Sequence, residues 1–332
     1  MDMIFVLTFT IVILAVAFDF INGFHDTANA IATSVSSKAL RPRQAIILAS
    51  VMNFVGAMTF TGVAKTITKD IVDPFTMDNG NVVIIAALLA AITWNLITWY
   101  YGIPSSSSHA LIGSIAGAAI AAAGFHALNY AGFLNIIKAL IFSPIIAFAV
   151  GYVVYSIFKV VFKNSNLSKT NKRFRRIQIL TAAFQAYSHG TNDAQKAMGI
   201  ITMALIVNEY QSTNEIQTWV QFVCALAMAL GTAAGGWKII KTVGGKIMKI
   251  RPVNGVAADL TGAGVILGAT VLHMPVSTTH VISSSILGVG ASHRIKGVKW
   301  GTAKNMVLTW VSTLPVSAFL AGIFYLILDL FL

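Results

Sequence analysis

Charge and cysteine are what this chain has least of. Only 10% of its 332 residues are Asp, Glu, Lys or Arg, where an ordinary soluble domain carries about 25%. The single cysteine, Cys224, lies inside an apolar run, which excludes an intramolecular disulfide framework and any cysteine-based metal site. Acidic residues are scarcer still, 11 against 23 basic ones for a net charge of +12. A basic excess of that size raises the question of nucleic-acid binding, and only the placement of the charges answers it. No basic n-region precedes the first apolar stretch, MDMIFVLTFTIVILAVAF, and no small-residue cleavage site follows it. It reads as a first membrane span and not as a signal peptide.

Apolar residues fill the space that charge leaves. They make up 56% of the chain, the mean hydropathy is +0.77, and apolar runs of spanning length cover 2–18, 44–64, 82–101, 133–158, 217–236 and 305–328. The sequence therefore predicts an all-α polytopic membrane protein.

The polar connectors alternate in sign. Lys38, Arg41 and Arg43 form one basic group; Lys163, Lys169, Lys172, Arg173, Arg175 and Arg176 a second. Lys238, Lys241, Lys246, Lys249 and Arg251 form a third, and Arg294, Lys296, Lys299 and Lys304 a fourth. Together they hold 18 of the 23 positive charges and no acid. Between them lie neutral or acidic connectors with Asp70, Asp73 and Asp78, or Glu209 and Glu215. The positive-inside rule places the four basic groups in the cytoplasm. Both ends, with Asp2 and Asp329, are then expected outside the cytoplasmic membrane, with about ten crossings, some broken or re-entrant. Sided charge of this kind serves topology, so no nucleic-acid partner is expected.

The chain also repeats itself. FINGFHDTANAIA (20–32) matches AYSHGTNDAQKAM (186–198) after a shift of one residue that sets Asp26 on Asp193, and IPSSSSHALIG (103–113) matches MPVSTTHVISS (274–284). Pro104, His109, Pro144 and Gly151 meet Pro275, His280, Pro315 and Gly322 at one common offset of 171 residues. Several matches in register indicate duplication. The basic connector 38–43 corresponds to the acidic 208–215, and 65–80 to the basic 237–251, so each half has an odd number of crossings and the two are inverted. We expect a first inverted repeat over 1–162, a basic cytoplasmic linker over 163–176, and a second repeat over 177–332, each of about five crossings with broken helices. Secondary transporters with this architecture bind substrate near mid-membrane at the repeat interface.

Ionisable groups inside spans are costly and mark function. They are Asp19, Asp26, Asp193, Asp259, Lys196 and the histidines. Asn22, Gly23, His25, Asp26 and Asn29, and in the copy His189, Gly190, Asn192, Asp193 and Lys196, read as a helix interruption rich in oxygen donors. Such a site suits Na⁺, or a carboxylate that carries a proton; the plain alternative is a structural break with a paired Asp. The second element sets Pro104 and Pro275 before Ser105, Ser106, Ser107 and Ser108, and before Ser277, Thr278 and Thr279. One such run would be simple N-capping. Two inverted copies facing each other would grip a tetrahedral oxyanion with unpaired N–H groups, hydroxyls and helix dipoles, with His109 and His280 donating to the anion or orienting the hydroxyls. An intramembrane hydrolase is the alternative from another class, but neither GxSxG nor HExxH is present.

NGFHDTANAIATS, SHGTNDAQKAMGI, IPSSSSHALIG and MPVSTTHVISSSILG resemble the duplicated signature of the inorganic phosphate transporter (PiT) family of cation-coupled symporters. The likeness covers both halves. It implies inorganic phosphate as substrate, no enzymatic activity, a homodimer, and hairpins led by Ser105 and Val276. It places Asp26 and Asp193, with Asn22, His25, Asn192 and Asp259, at the coupling cation or proton, with sodium the metal to be held at Asp26 and Asp193. Phosphate falls to the hydroxyl runs, His109, His280, Asn29 and Lys196. Sulfate is the rival substrate, since helix N-termini accept any tetrahedral anion. His25-Asp26 and Lys196 depart from the Asn-containing pattern of many members. Asn53 stands where some relatives have a carboxylate, and Asp259 keeps an acid in what is expected to be the matching second-half helix. The ammonium of Lys196 would either take a mobile cation's place or help to neutralise the phosphate, and H⁺, Na⁺ or a metal–phosphate complex all stay open as coupling partners.

Overall fold

The computed structural model describes residues 3–72 and 79–331; Asp2, Asp73 and Asp78 lie outside them. Among the described residues all regular elements are helices. The first half comprises α1 (Met3–His25), α2 (Thr27–Ser36), α3 (Pro42–Ala57), α4 (Gly62–Asp70), α5 (Gly80–Tyr101), α6 (Ser107–Ala123) and α7 (Tyr130–Val161). The second comprises α8 (Leu167–Val207), α9 (Thr218–Ala234), α10 (Trp237–Lys246), α11 (Pro252–Val271), α12 (Thr278–Arg294) and α13 (Trp300–Leu328). One succession of elements occurs twice, down to a 3₁₀ turn before α7 (Phe125–Ala127) and before α13 (Ile295–Gly297).

The backbone repeats as well. Left-handed residues follow α2 and α8 at Lys38 (φ 61°) and Glu209 (φ 60°), and follow α5 and α11 at Gly102 (φ 66°) and His273 (φ 58°). Both pairs are 171 residues apart, and non-glycine residues seldom adopt this region. Packing is reciprocal: α1 lies on α9 as α3 lies on α8, and α6 lies on α13 as α12 lies on α7.

Five helices are long and apolar enough to cross a membrane among the described residues, counting Met3–Ser36 as one, and seven if each bent pair is one span. This is fewer than the ten expected, for two reasons. The hairpin arms α6 and α12 are 17 residues each, short of the roughly 20 a crossing needs. The 41-residue α8 carries too many polar residues to register as apolar, because they face protein and not lipid. Conversely, α7 and α13 turn Ile141, Phe142, Ile145, Val307, Val311 and Phe319 outward, each more than 40% exposed, as a lipid-facing wall requires.

Three expectations about connectors need correction. Residues 65–80 and 237–251 are not simple loops: α4 and α10 are short helices bent 67° and 71° from α3 and α9, with Val63 and Ile67, and Ile239 and Val243, buried. The basic linker 163–176 becomes helical at Leu167 and continues into α8. Finally, the interruption of the first signature is one residue wide, since Asp26 keeps helical dihedrals (φ −90°, ψ −32°) and donates its N–H to Asn22 O at 2.8 Å. The second signature is not interrupted at all, so it frees no backbone carbonyls.

The charged connectors sort to two ends. Arg251 shares a cavity rim with Thr170 and His293, Lys299 N–H bonds Ile247 O at 2.9 Å, and Ser37 bonds Gln178 at 2.5 Å. Three basic groups thus meet directly, and the first adjoins them through Ser37. The acidic connectors meet elsewhere, where Lys65 pairs with Glu215 at 2.6 Å and Asn79 donates to Asp329 at 2.8 Å.

Helices α1 and α9 cross at glycines. A Cβ on Gly231 would fall 1.9 Å from Phe20 O, and one on Gly23 2.4 Å from Met228 O, both against backbone that cannot step aside. Gly231→Ala is expected to destabilise the protein by about 1–3 kcal/mol, the usual cost of overpacking. Thermal unfolding in detergent, compared with Gly264→Ala where the added methyl meets nothing within 4 Å, checks this.

Candidate functional site

The helix starts of α6 and α12 converge on the signature carboxylates of the α1–α2 junction and of α8. Asp26 Oδ1 lies 2.6 Å from His25 Nδ1 and accepts from Thr279 Oγ1 at 3.0 Å; its Oδ2 accepts from Ser107 at 2.5 Å. Asp193 Oδ1 accepts from Lys196 Nζ at 2.5 Å, and its Oδ2 accepts from Thr278 at 2.9 Å. Adjacent threonines of one helix turn therefore serve the two carboxylates, one from each half. All seven of these side chains are buried, Lys196 at 1% exposure, and all but Lys196 and His25 are short.

The repeat explains which residues correspond. Ser107 and Thr278 occupy equivalent places and each donates to its own half's carboxylate. Asn29 is the counterpart of Lys196 when Asp26 is set on Asp193. Asn29 donates to Thr279 at 2.7 Å, while Lys196 bonds Asp193 directly. The halves are thus chemically unequal: an imidazole lies near each carboxylate, His25 by Asp26 and His189 by Asp193, but only Asp193 also has an ammonium beside it.

The remaining expected residues sort into supports and outliers. Asn22 Oδ1 lies 2.9 Å from Ser107 Oγ, where it competes with Asp26 for the one serine O–H. Asn192 holds the α11–α12 connection, donating to Met274 O at 3.2 Å and accepting from Val276 N–H at 3.3 Å. Ser105 bonds Thr98 at 2.8 Å, which also lies 3.0 Å from His25 Nε2. Ser108 reaches across to Val276 O at 2.8 Å, joining the two hairpins. Ser106 and Ser277 are N-caps, accepting from His109 N–H at 3.1 Å and His280 N–H at 3.2 Å. His109 and His280 stack on each other at 4.4 Å, and His280 stacks on Trp310 at 4.1 Å. Both rings line a cavity of about 790 Å³ between α7 and α13, and neither bonds a carboxylate among the described residues.

Asp259 belongs to another cluster. It accepts from Thr33 at 2.5 Å and Thr181 at 3.0 Å, and from neither hydroxyl-rich helix start. Nor does it match Asn53: Asp259 is on α11, whose counterpart is α5, whereas Asn53 is on α3, whose counterpart is α9. Asn53 instead donates to Thr27 at 2.9 Å and Thr232 at 3.0 Å and faces His189 Nδ1 at 3.1 Å. Sequence reasoning missed Thr98, Thr33 and Thr181. Thr33 stood unremarked inside the signature NGFHDTANAIATS, and the signal of Thr98 and Thr181 was a hydroxyl too common in membrane helices to single them out.

Chemically, the site is a bed of hydroxyl donors aimed at carboxylates. A serine or threonine has one O–H to give, so Ser107, Thr278 and Thr279 donate either to a carboxylate or to an oxyanion, not to both.

Comparison with known proteins places this arrangement. The model of the phosphate transporter family matches residues 22–321. A probable low-affinity inorganic phosphate transporter of Bacillus subtilis (strain 168) is 77% identical over 331 residues, 99% of each chain. Its namesake in Rhizobium meliloti (strain 1021) is 42% identical, covering 96% of each. Among solved structures, a sodium-dependent phosphate transporter superposes with a TM-score of 0.87 at 26% identity, over 98% of this chain and all of that one. With most of the chain inside the family model and relatives matched along their whole length, this protein belongs to the phosphate transporter family.

Proposed function

We propose that this protein imports inorganic phosphate across the cytoplasmic membrane as a cation-coupled symporter. Two inverted repeats, 1–162 and 177–332, switch access to a shared site between the membrane's two sides. The observation that carries the reading is the convergence of Ser107, Thr278 and Thr279 on Asp26 and Asp193. When a carboxylate is neutralised by a cation or proton, its claim on a hydroxyl hydrogen weakens, and the hydroxyl is free to turn to phosphate. Anion and cation then bind with reciprocal affinity gains, as symport requires. The gathering of basic connectors at one end supports a cytoplasmic face there and the Asp329 end outside. Homodimerisation, implied by the family resemblance, is checked by native mass spectrometry.

Uptake of labelled phosphate into proteoliposomes tests the reading, with Na⁺, pH and divalent metal varied independently and sulfate as competitor. Saturable uptake that follows an imposed cation gradient is expected. Indifference to every gradient would overturn symport, and sulfate competing as well as phosphate would overturn the substrate. Within this mechanism Ser107→Ala and Ser106→Ala part company. Ser107→Ala removes a donor whose bond to a charged acceptor is worth about 1.5–3 kcal/mol and is expected to weaken phosphate binding about tenfold or more. Ser106→Ala removes a helix cap and is expected to cost about 1 kcal/mol of stability with little change in affinity. Scintillation-proximity binding and thermal unfolding separate the two.

A further inference from the structure

At the end where the basic connectors gather, α7, α11 and α12 enclose a cavity of about 140 Å³ that the carboxylate site does not use. Lys159 reaches it from α7, Arg251 and Asn254 from the start of α11, His293 from α12 and Thr170 from the start of α8. Two adjoining hollows share its walls, one of about 210 Å³ reached by Lys169 and Arg173 and one of about 120 Å³ reached by Lys249 and Arg294. No carboxylate lines any of the three. His293 lies within electrostatic reach of Arg251, Lys159 and Arg294 at once.

Three observations point to an anion in this place. Asn254 is 2% exposed; its Oδ1 accepts from Arg251 N–H at 3.2 Å, its side chain faces Tyr155, and its Nδ2 has no partner at hydrogen-bond distance. A buried donor on a cavity wall without an acceptor is costly. Asn171 brings an unpartnered Oδ1 to the same wall, but an amide can turn its NH₂ inward instead. Second, the 20-residue α11 has no side-chain cap and no acid in its first turn, and its N-cap residue is Arg251. A guanidinium at the positive end of a helix dipole is unfavourable unless an anion joins it. The neighbouring α8 is by contrast capped by Asn166, which accepts from Ser168 and Lys169 N–H at 3.1 Å. Third, Lys159 gives one hydrogen to Ser292 O at 3.1 Å and has two more to give. Neither it nor Arg251 forms an ion pair among the described residues.

The positive-inside rule accounts for the number of cations at this end. It does not require them to close around a cavity without a carboxylate, or one of them to stand at an uncapped helix start. A phosphoryl group matches the set, since guanidinium, ammonium, amide and helix N–H groups all donate to its oxygens. We propose that this cavity binds a phosphoryl anion from the cytoplasmic side, apart from the carboxylate site, and that the bound anion ties the two repeats together and slows transport. Lys159 belongs to the first repeat and Arg251, Asn254 and His293 to the second, so a ligand held by both favours one arrangement of the repeats over the other. This restraint rests on the alternating-access reading above; the binding site does not.

The test measures binding of labelled pyrophosphate to the full-length protein in phosphatidylcholine nanodiscs. Wild type and Ser107→Ala are expected to bind alike, and Arg251→Gln and Lys159→Gln about tenfold or more weakly. Lys296→Gln removes a cation of the same end that lines none of the three hollows and is expected to leave the affinity unchanged. An equal loss in Lys296→Gln would reduce the site to diffuse surface charge, and a loss in Ser107→Ala would move the binding to the carboxylates; either overturns the proposal. Arg251→Gln is expected to unfold at no lower temperature than wild type without ligand, because it relieves a cation at a helix start, which separates lost binding from misfolding. In phosphatidylglycerol nanodiscs, a lipid that wild type keeps in native mass spectrometry and Arg251→Gln loses would identify a headgroup as the source of the phosphoryl group. Pyrophosphate binding in phosphatidylcholine identifies a free anion, and the absence of both would overturn the site. Pyrophosphate trapped inside proteoliposomes is expected to slow phosphate uptake by wild type and to leave Arg251→Gln untouched; equal slowing of both would overturn the restraint. A wild type that binds pyrophosphate but takes up no phosphate would instead strike the transport reading itself.

Discussion

Gradient-driven phosphate uptake is expected to fall to background in Asp26→Asn and in Asp193→Asn, although the substitutions act differently on the fold. Asparagine keeps the size of aspartate but offers one acceptor oxygen and a new pair of donors. At Asp26 three donors converge, His25, Ser107 and Thr279, and an amide nitrogen placed among them meets hydrogen where it needs an acceptor. Each lost bond to a charged acceptor is worth about 1.5–3 kcal/mol. The negative charge that makes cation and phosphate binding interdependent is lost with them. At Asp193 the change also strands Lys196, a fully buried ammonium, and removing one partner of a buried pair typically costs about 3–5 kcal/mol. Asp193→Asn should therefore be the less stable of the two. Asp193→Asn combined with Lys196→Met removes both charges and is expected to recover much of that stability without recovering uptake. Fluorescence-detected size exclusion together with labelled uptake checks both halves of the statement. Normal uptake by either single variant would remove the carboxylate from the mechanism.

The second large effect concerns Lys196. Its counterpart in the first half is the neutral Asn29, which leaves its own carboxylate to hydroxyls and an imidazole. Lys196→Asn brings the second half closer to the first and leaves Asp193 with Thr278 and with His189 Nε2 at 3.2 Å. Losing the ammonium costs stability on the same scale of about 3–5 kcal/mol unless another cation enters. The variant is expected to acquire a requirement for Na⁺ in uptake and to be stabilised by Na⁺ against heat, since a ligand that binds only the folded state raises its stability. Uptake at fixed pH with Na⁺ replaced by K⁺ reads the first effect and thermal unfolding across a Na⁺ series the second. An unchanged ion dependence would mean that the ammonium does not stand in for a mobile cation.

Much of this protein is legible along the chain because its strongest signals are one-dimensional. Charge sorts by connector, apolar runs sort by length, and the 171-residue repeat of Pro104, His109, Pro144 and Gly151 declares a duplication without any contact being known. The choice of Asp26, Asp193, Lys196 and the hydroxyl runs as candidate site residues followed from the cost of polar groups in a membrane. The individual tasks of the hydroxyls did not follow. Ser106 and Ser107 are neighbours in one run of serines, yet one caps a helix and the other bonds Asp26; successive side chains at a helix start point in different directions, and sequence order does not reveal which points inward.

What the sequence alone determined is the solvent, the fold class and the duplication, because hydropathy, charge and repeat are properties of residues in order. Tertiary structure decided the partnerships: Thr279 with Asp26 across 253 residues, and Asp259 with Thr33 across 226. Hydrogen bonds extend about 3 Å, so they depend on how helices cross, and those crossings are set by glycines and small side chains drawn from both halves at once.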